Sequence, residues 1–165
     1  MSETDSHPDP IGVPRGVLEE IFQHARKSFP NECCGWLTGQ KDSNMAVSIR
    51  RAVNAYQPET HPTAKGRTLE TAFVISGSDL LELNRTLEDD TRPKIIYHSH
   101  PNGRAYFSPT DRNNAVDPWG EGPAYPVQQI VVGINRDRVV EARQFAWNSQ
   151  TGDFVEIAVY DGLNV

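Results

Sequence analysis

The sequence predicts one mixed α/β domain, a mixed β-sheet flanked by helices. Three observations point there. Segments of helical period alternate with short strand-like segments along the chain. A chain of 165 residues is long enough to bury one core without disulfides. No internal repeat or second apolar cluster divides it. The 37% hydrophobic and 23% charged residues fit an ordinary globular chain.

The elements follow in order. The first residues are polar and carry Pro8 and Pro10, so 1–11 are expected to form a disordered tail and 12–165 the domain. Val17, Leu18, Ile21, Phe22, Ala25 and Phe29 recur at helical spacing, with Pro14 in the first turn and Pro30 closing the helix. Cys33 to Gly39 reads as a strand, and Met45 to Ala55 as a second one with rough apolar alternation. Gln57 to Arg67 is a Pro- and Gly-containing loop, and Phe73-Val74-Ile75 a short strand. Ser78 or Asp79 is expected to cap a helix that buries Leu80, Leu81, Leu83 and Leu87. Lys94 to Tyr97 is a buried strand, and Asp117 to Pro126 a surface loop. Val127 to Ile134, Val139 to Trp147 and Phe154 to Val159 are three further strands, the last two joined by a turn at Gln150 to Asp153.

Charge and composition narrow the function. A net charge of −6 weighs against a nucleic-acid partner, which wants clustered Lys and Arg. No apolar run approaches the roughly 20 residues that span a bilayer, and no basic start or apolar stretch marks a signal peptide. The expectation is therefore a cytoplasmic protein, not membrane-bound, with Cys33 and Cys34 as reduced thiols. His7, His24 and His61 have no ligand partners at recognisable spacing and read as tail or surface residues. Trp36, Trp119 and Trp147 read mainly as core, although Trp119 could line a groove from its Gly/Pro loop.

The chemistry concentrates in Tyr97-His98-Ser99-His100-Pro101-Asn102-Gly103-Arg104-Ala105-Tyr106-Phe107-Ser108-Pro109-Thr110-Asp111. In an extended chain His98 and His100 share a face and Ser99 looks the other way. Asp111 follows after ten intervening residues, at an expected helix start. Two neutral imidazoles and one carboxylate suit one Zn²⁺ ion and leave its fourth position open for water. Each piece also has a plainer account. Paired strand histidines are often hydrogen-bonded partial-core residues, and Ser108-Pro109-Thr110-Asp111 is a good capping box in its own right.

Taken together, these residues resemble the signature of the JAMM (JAB1/MPN/Mov34) metalloproteases: H-x-H, ten residues, then Asp, with Ser three before it. The match is His98, His100, Ser108 and Asp111. Asn31-Glu32-Cys33-Cys34-Gly35-Trp36-Leu37-Thr38-Gly39 is similar to the E-x-C-G element of small bacterial members. The likeness runs over about residues 12–160. It implies a cytidine-deaminase-like MPN fold with His98, His100 and Asp111 as zinc ligands and Glu32 as general base. A Glu before a strand is otherwise an ordinary solvated charge, but zinc-activated water needs a base. Ser108 would donate to the developing oxyanion, and Cys34 would be a small buried residue.

The resemblance also implies the substrate: an amide bond after the Gly-Gly-type C-terminal tail of a ubiquitin-like or sulfur-carrier protein, threaded as an added strand. Small bacterial members process sulfur carriers, either releasing an amino acid such as cysteine from the carrier's C-terminus or trimming residues to expose Gly-Gly. Other outcomes are a non-catalytic MPN scaffold, which would lack ligands present here, a RadC-like protein, and a phage tail-assembly peptidase. A nucleoside deaminase would need H-x-E and P-C-x-x-C, and neither occurs.

Overall fold

The computed structural model describes residues 8–55 and 75–165. The expected loop over 57–67 and most of the strand at 73–75 lie outside those residues, as do His7 and His61. Nine elements run in the order α1 (Arg15–Ser28), β1 (Cys34–Gln40), β2 (Ser48–Ala52), α2 (Gly77–Thr86), β3 (Thr91–His100), α3 (Pro109–Ala115), β4 (Gln128–Ile134), β5 (Val139–Asn148) and β6 (Asp153–Leu163). The strands form one sheet, β2-β1-β3-β4-β5-β6, in which only β3 and β4 are parallel. It is the mixed α/β sheet that the sequence predicts.

The pleat divides the core between the two faces. Neighbours in sequence fall into different apolar clusters: Cys33, Ile95 and Val132 pack with Val17, Ile21, Phe22 and Ala25 of α1. Cys34 and Ile96 pack with Trp36 and with Leu83 of α2. Val131 joins Ala105 and Phe145 in a third cluster on the segment that leads to α3. Helix α1 therefore covers one face, with α2 and the approach to α3 on the other.

Parallel pairing sets the crossover. A chain leaving β3 at His100 must cross over before it can run alongside β3 as β4, and α3 forms in that crossover. The carboxyl end of β3, where one neighbour is antiparallel and the other parallel, is left open for a site.

Several expectations change. The expected strand over 45–55 shortens to Ser48–Ala52, with isolated bridges Gly12–Met45 and Asn54–Ile75 at its ends. Strand β3 extends on both sides of the expected Lys94–Tyr97 segment. The cap of α2 is Ser76, not Ser78 or Asp79: its Oγ accepts from the Asp79 amide at 3.4 Å and donates to Asp79 Oδ2 at 2.8 Å. The earlier start turns Asp79 and Leu83 inward, so Leu81 stands 74% exposed and Leu80 also faces solvent. Asp79 is buried because Arg50 and the Val53 amide bind its carboxylate, which stays ionised below the usual range against its burial.

His24 is not a surface residue. It lies on the inner face of α1, and its Nδ1 is 2.6 Å from the Tyr97 hydroxyl. Gly35 makes room for that ring, since a Cβ there would come within 2.5 Å of the Tyr97 hydroxyl oxygen. Trp119 is 80% exposed, whereas Trp36 is buried. Of the tail expected over 1–11, residues 1–7 lie outside the described residues. Gln128 holds the rest: it donates to the Asp9 carbonyl and accepts from the Ile11 amide, each at 2.9 Å. No helix among the described residues is long and apolar enough to cross a membrane.

Candidate metal centre

The site forms where three local structures meet. Strand β3 delivers His98 and His100 to one face, and both are buried. Strand β1 pairs antiparallel with β3, with Cys34 opposite His98. Continuing that register by two residues sets Glu32 opposite His100 on the same face. The Cys33–Ser99 pair locks this end: the Ser99 amide donates to the Cys33 carbonyl at 3.1 Å, and the Cys33 amide to Ser99 Oγ at 2.8 Å. Asn54 donates to the Glu32 carbonyl at 2.9 Å, fixing the backbone that carries the carboxylate.

The third structure is the start of α3. Ser108 caps it, its Oγ accepting from the Asp111 amide at 3.0 Å, while Asp111 Oδ2 accepts from the Ser108 amide at 3.0 Å. The capping box read in the sequence is therefore present, and it aims a carboxylate oxygen at the histidines. Asp111 Oδ2 lies 3.1 Å from the Nε2 atoms of both His98 and His100, which are themselves 3.2 Å apart. An oxygen of buried Glu32 and one nitrogen of each histidine also fall within 4.8 Å of one another. The structure thus brings Glu32, His98, His100, Ser108 and Asp111 together.

These residues suit a metal ion. His100 Nδ1 sits 3.1 Å from the Arg104 carbonyl, an atom that can only accept. In a neutral ring this contact favours the proton on Nδ1, which leaves Nε2 able to ligate a cation. Burial pushes His98 below its ordinary value despite Asp111. Burial also opposes the charge on Asp111, but the neighbouring imidazoles and their bonds outweigh it and hold the carboxyl well below the usual range. Three atoms able to ligate a cation thus lie 3.1–3.2 Å from one another. That is close to the ~3.3 Å edge of a tetrahedron with bonds of about 2.0 Å.

Nothing in the residue pattern marks the contact that orients His100, because its partner is a backbone carbonyl. The turn after β3 brings it into place. Gly103 has φ +80° and donates to the Ile134 carbonyl at 2.9 Å, so the turn lies flat on β4. Below it is Gly133, the residue paired with His100; a Cβ there would stand 2.6 Å from the Gly103 carbonyl carbon. Tyr106 was also missed, and its ring packs against that of His100 with centroids 4.9 Å apart. Cys33 and Cys34 are buried, and burial raises both thiols, Cys33 to about 12, so neither is a thiolate near neutral pH.

Comparison with known proteins shows the family of the chain. A CysO-cysteine peptidase of Mycobacterium tuberculosis is 34% identical over 104 residues, covering 62% of this chain and 63% of the relative. A probable TtuB-protein conjugate cleaving protease of Thermus thermophilus is 32% identical over 104 residues, 62% of each. The match thus spans less than two thirds of either relative's length. A solution structure from Desulfitobacterium hafniense superposes with a TM-score of 0.61 at 21% identity, over 88% of each chain. One from Salinibacter ruber gives 0.58 at 20% identity, over 91% of this chain and 90% of that one. Both likenesses concern the fold. The family model for prokaryotic homologues of the JAB domain matches residues 14–149. With fold, motif and family model in agreement, the chain belongs to the prokaryotic branch of the JAB (JAMM/MPN) family.

Proposed function

We propose that this protein is a zinc-dependent peptidase that hydrolyses the amide bond after the C-terminal Gly-Gly-type tail of a ubiquitin-like or sulfur-carrier protein. The observation that carries the reading is the convergence of His98 Nε2, His100 Nε2 and Asp111 Oδ2 within 3.2 Å, with Glu32 on the same face. The names of the two relatives, a CysO-cysteine peptidase and a probable protease of TtuB-protein conjugates, support peptidase chemistry on a conjugate.

In this reading His98, His100 and Asp111 hold one zinc ion, which supplies a Lewis acid that acidifies water and polarises a carbonyl. Glu32 takes the proton from the attacking water and passes it to the departing amine. Its buried position keeps that proton from bulk solvent. Ser108 serves both fold and reaction: its oxygen accepts from the Asp111 amide, and its own hydrogen is directed to the developing oxyanion. The products are a carboxylic acid on the carrier and a free amine on the released group.

The test is incubation of zinc-loaded protein with a Gly-Gly-terminated carrier adduct, followed by mass spectrometry. Cleavage after the tail is expected, together with a Glu32→Gln variant that keeps its zinc and loses turnover by about 10²–10⁴-fold. An intact adduct after incubation with the zinc-loaded wild type would sink the reading. Full activity of Glu32→Gln would remove Glu32 as the base.

A further inference from the structure

Beside the histidines, the chain from Arg104 to Phe107 forms one wall of a cavity of about 400 Å³. Residues of β5 and β6 form the rest, including Glu141, Arg143 and Glu156. This volume lies in the range of small-ligand pockets, roughly 300–1,000 Å³, and is too small for a protein body. Its position is set by Tyr106, whose ring packs on one side against His100. On the same residue sits the guanidinium of Arg104, 5.5 Å from the ring centroid.

The carboxylates around this cavity are held by hydrogen bonds and ion pairs. Glu141 Oε2 accepts from the Ala105 amide at 3.0 Å, and Oε1 accepts from Arg143 Nη2 at 2.9 Å. Arg143 also binds Glu156 at 2.8 Å, and Asp153 is paired with Arg112 at 2.6 Å. The carboxylates lining the cavity thus have hydrogen-bonded partners other than Arg104, although its charge also helps to hold Glu141 ionised. The Arg104 guanidinium is exposed and makes no ion pair or hydrogen bond among the described residues. An arginine held over an aromatic ring beside a reaction centre is preorganised to take a carboxylate.

We propose that Arg104 reads the free terminal carboxylate of the residue that hydrolysis releases, which makes the enzyme selective for a single C-terminal amino acid over a side-chain-linked protein. The inference rests on the peptidase reading above and specifies its leaving group. The side of the scissile bond follows from the substrate's chemistry. A Gly-Gly tail carries no charge for Arg104 to recognise, whereas a chain end carries its carboxylate on the leaving side. The reaction is unchanged: water adds across the amide, the tail leaves as an acid and the released amino acid as an amine.

The test uses a Gly-Gly-terminated carrier extended by one alanine, made as the free acid and as the C-terminal carboxamide. With zinc-loaded wild type, the free acid should have a kcat/KM about tenfold or more above the carboxamide, mostly through KM, as for a charge-assisted contact. Arg104→Ala should erase that difference by slowing only the free acid, and Arg104→Lys should restore part of it. The variants keep the backbone carbonyl that orients His100, so zinc content should not change. Equal cleavage of both substrates by the wild type would overturn this inference and leave the peptidase reading standing. So would an Arg104→Ala variant that slows both alike. Cleavage of neither would overturn both.

Discussion

The two faces of β3 each bury a hydrogen-bonded histidine system, and the systems differ in kind. On the α1 side His24 meets Tyr97 alone, a ring nitrogen against a hydroxyl at 2.6 Å, and either group can supply the proton. On the other side His98 Nε2, His100 Nε2 and the ionised Asp111 carboxylate converge on one point, with 3.1–3.2 Å between them. The first pair is complete as it stands and ties a helix to a sheet. The second gathers three groups that can all ligate a cation. Burial of a histidine therefore says little about chemistry. The convergence of several ligand-type groups at one point says much more.

The contrast can be broken most severely at the ligands. His98→Ala should lose bound zinc and, with it, all turnover. His24→Ala should lower stability yet keep about one equivalent of metal in the folded protein, as an intact three-ligand site would. Metal analysis of both variants after dialysis decides it, and a His24→Ala protein that stays folded but metal-free would erase the distinction. Ser108→Ala is next. Loss of an oxyanion donor costs about 10²–10³ in kcat, and loss of the cap about 1 kcal/mol of stability. A stability loss with kcat unchanged would leave Ser108 as a helix cap only.

The smallest effect concerns the pair behind the sheet. Burial, with help from Arg51 and Lys27, lowers His24 to about 4 from an ordinary 6.5. The unfolded chain therefore binds the proton first, and the contribution of this pair is full above pH 6.5 and is lost as pH falls toward 4. Urea midpoints at pH 7 and 4.5 should move less in His24→Gln than in the wild type. Equal movement would show that His24 titrates normally.

How much of this was legible depended on how far apart the partners lie in the chain. His98, His100, Ser108 and Asp111 sit within one short stretch, and strand alternation plus a capping box explain their geometry locally. Glu32 needed the family's pattern, because only the β1–β3 register brings it opposite His100. The sheet is readable from its apolar runs, but the cap of α2 lies two or three residues before the expected Ser78 or Asp79. Ser76 and Ser78 are equally good caps by type, and burial of Asp79 is decided by Arg50 on another element. His24 was misjudged because its partner is 73 residues away. The Arg104 carbonyl could not be read at all, since every residue has one.

The antiparallel register of Cys34 against His98 carries one more consequence. A slip of one residue between β1 and β3 would turn Glu32 toward the α1 side and set Cys33 where it now stands. A sheet paired out of register then does not bring Glu32 to the two histidines. In the proposed reading, the site forms in the same event that fixes the strands.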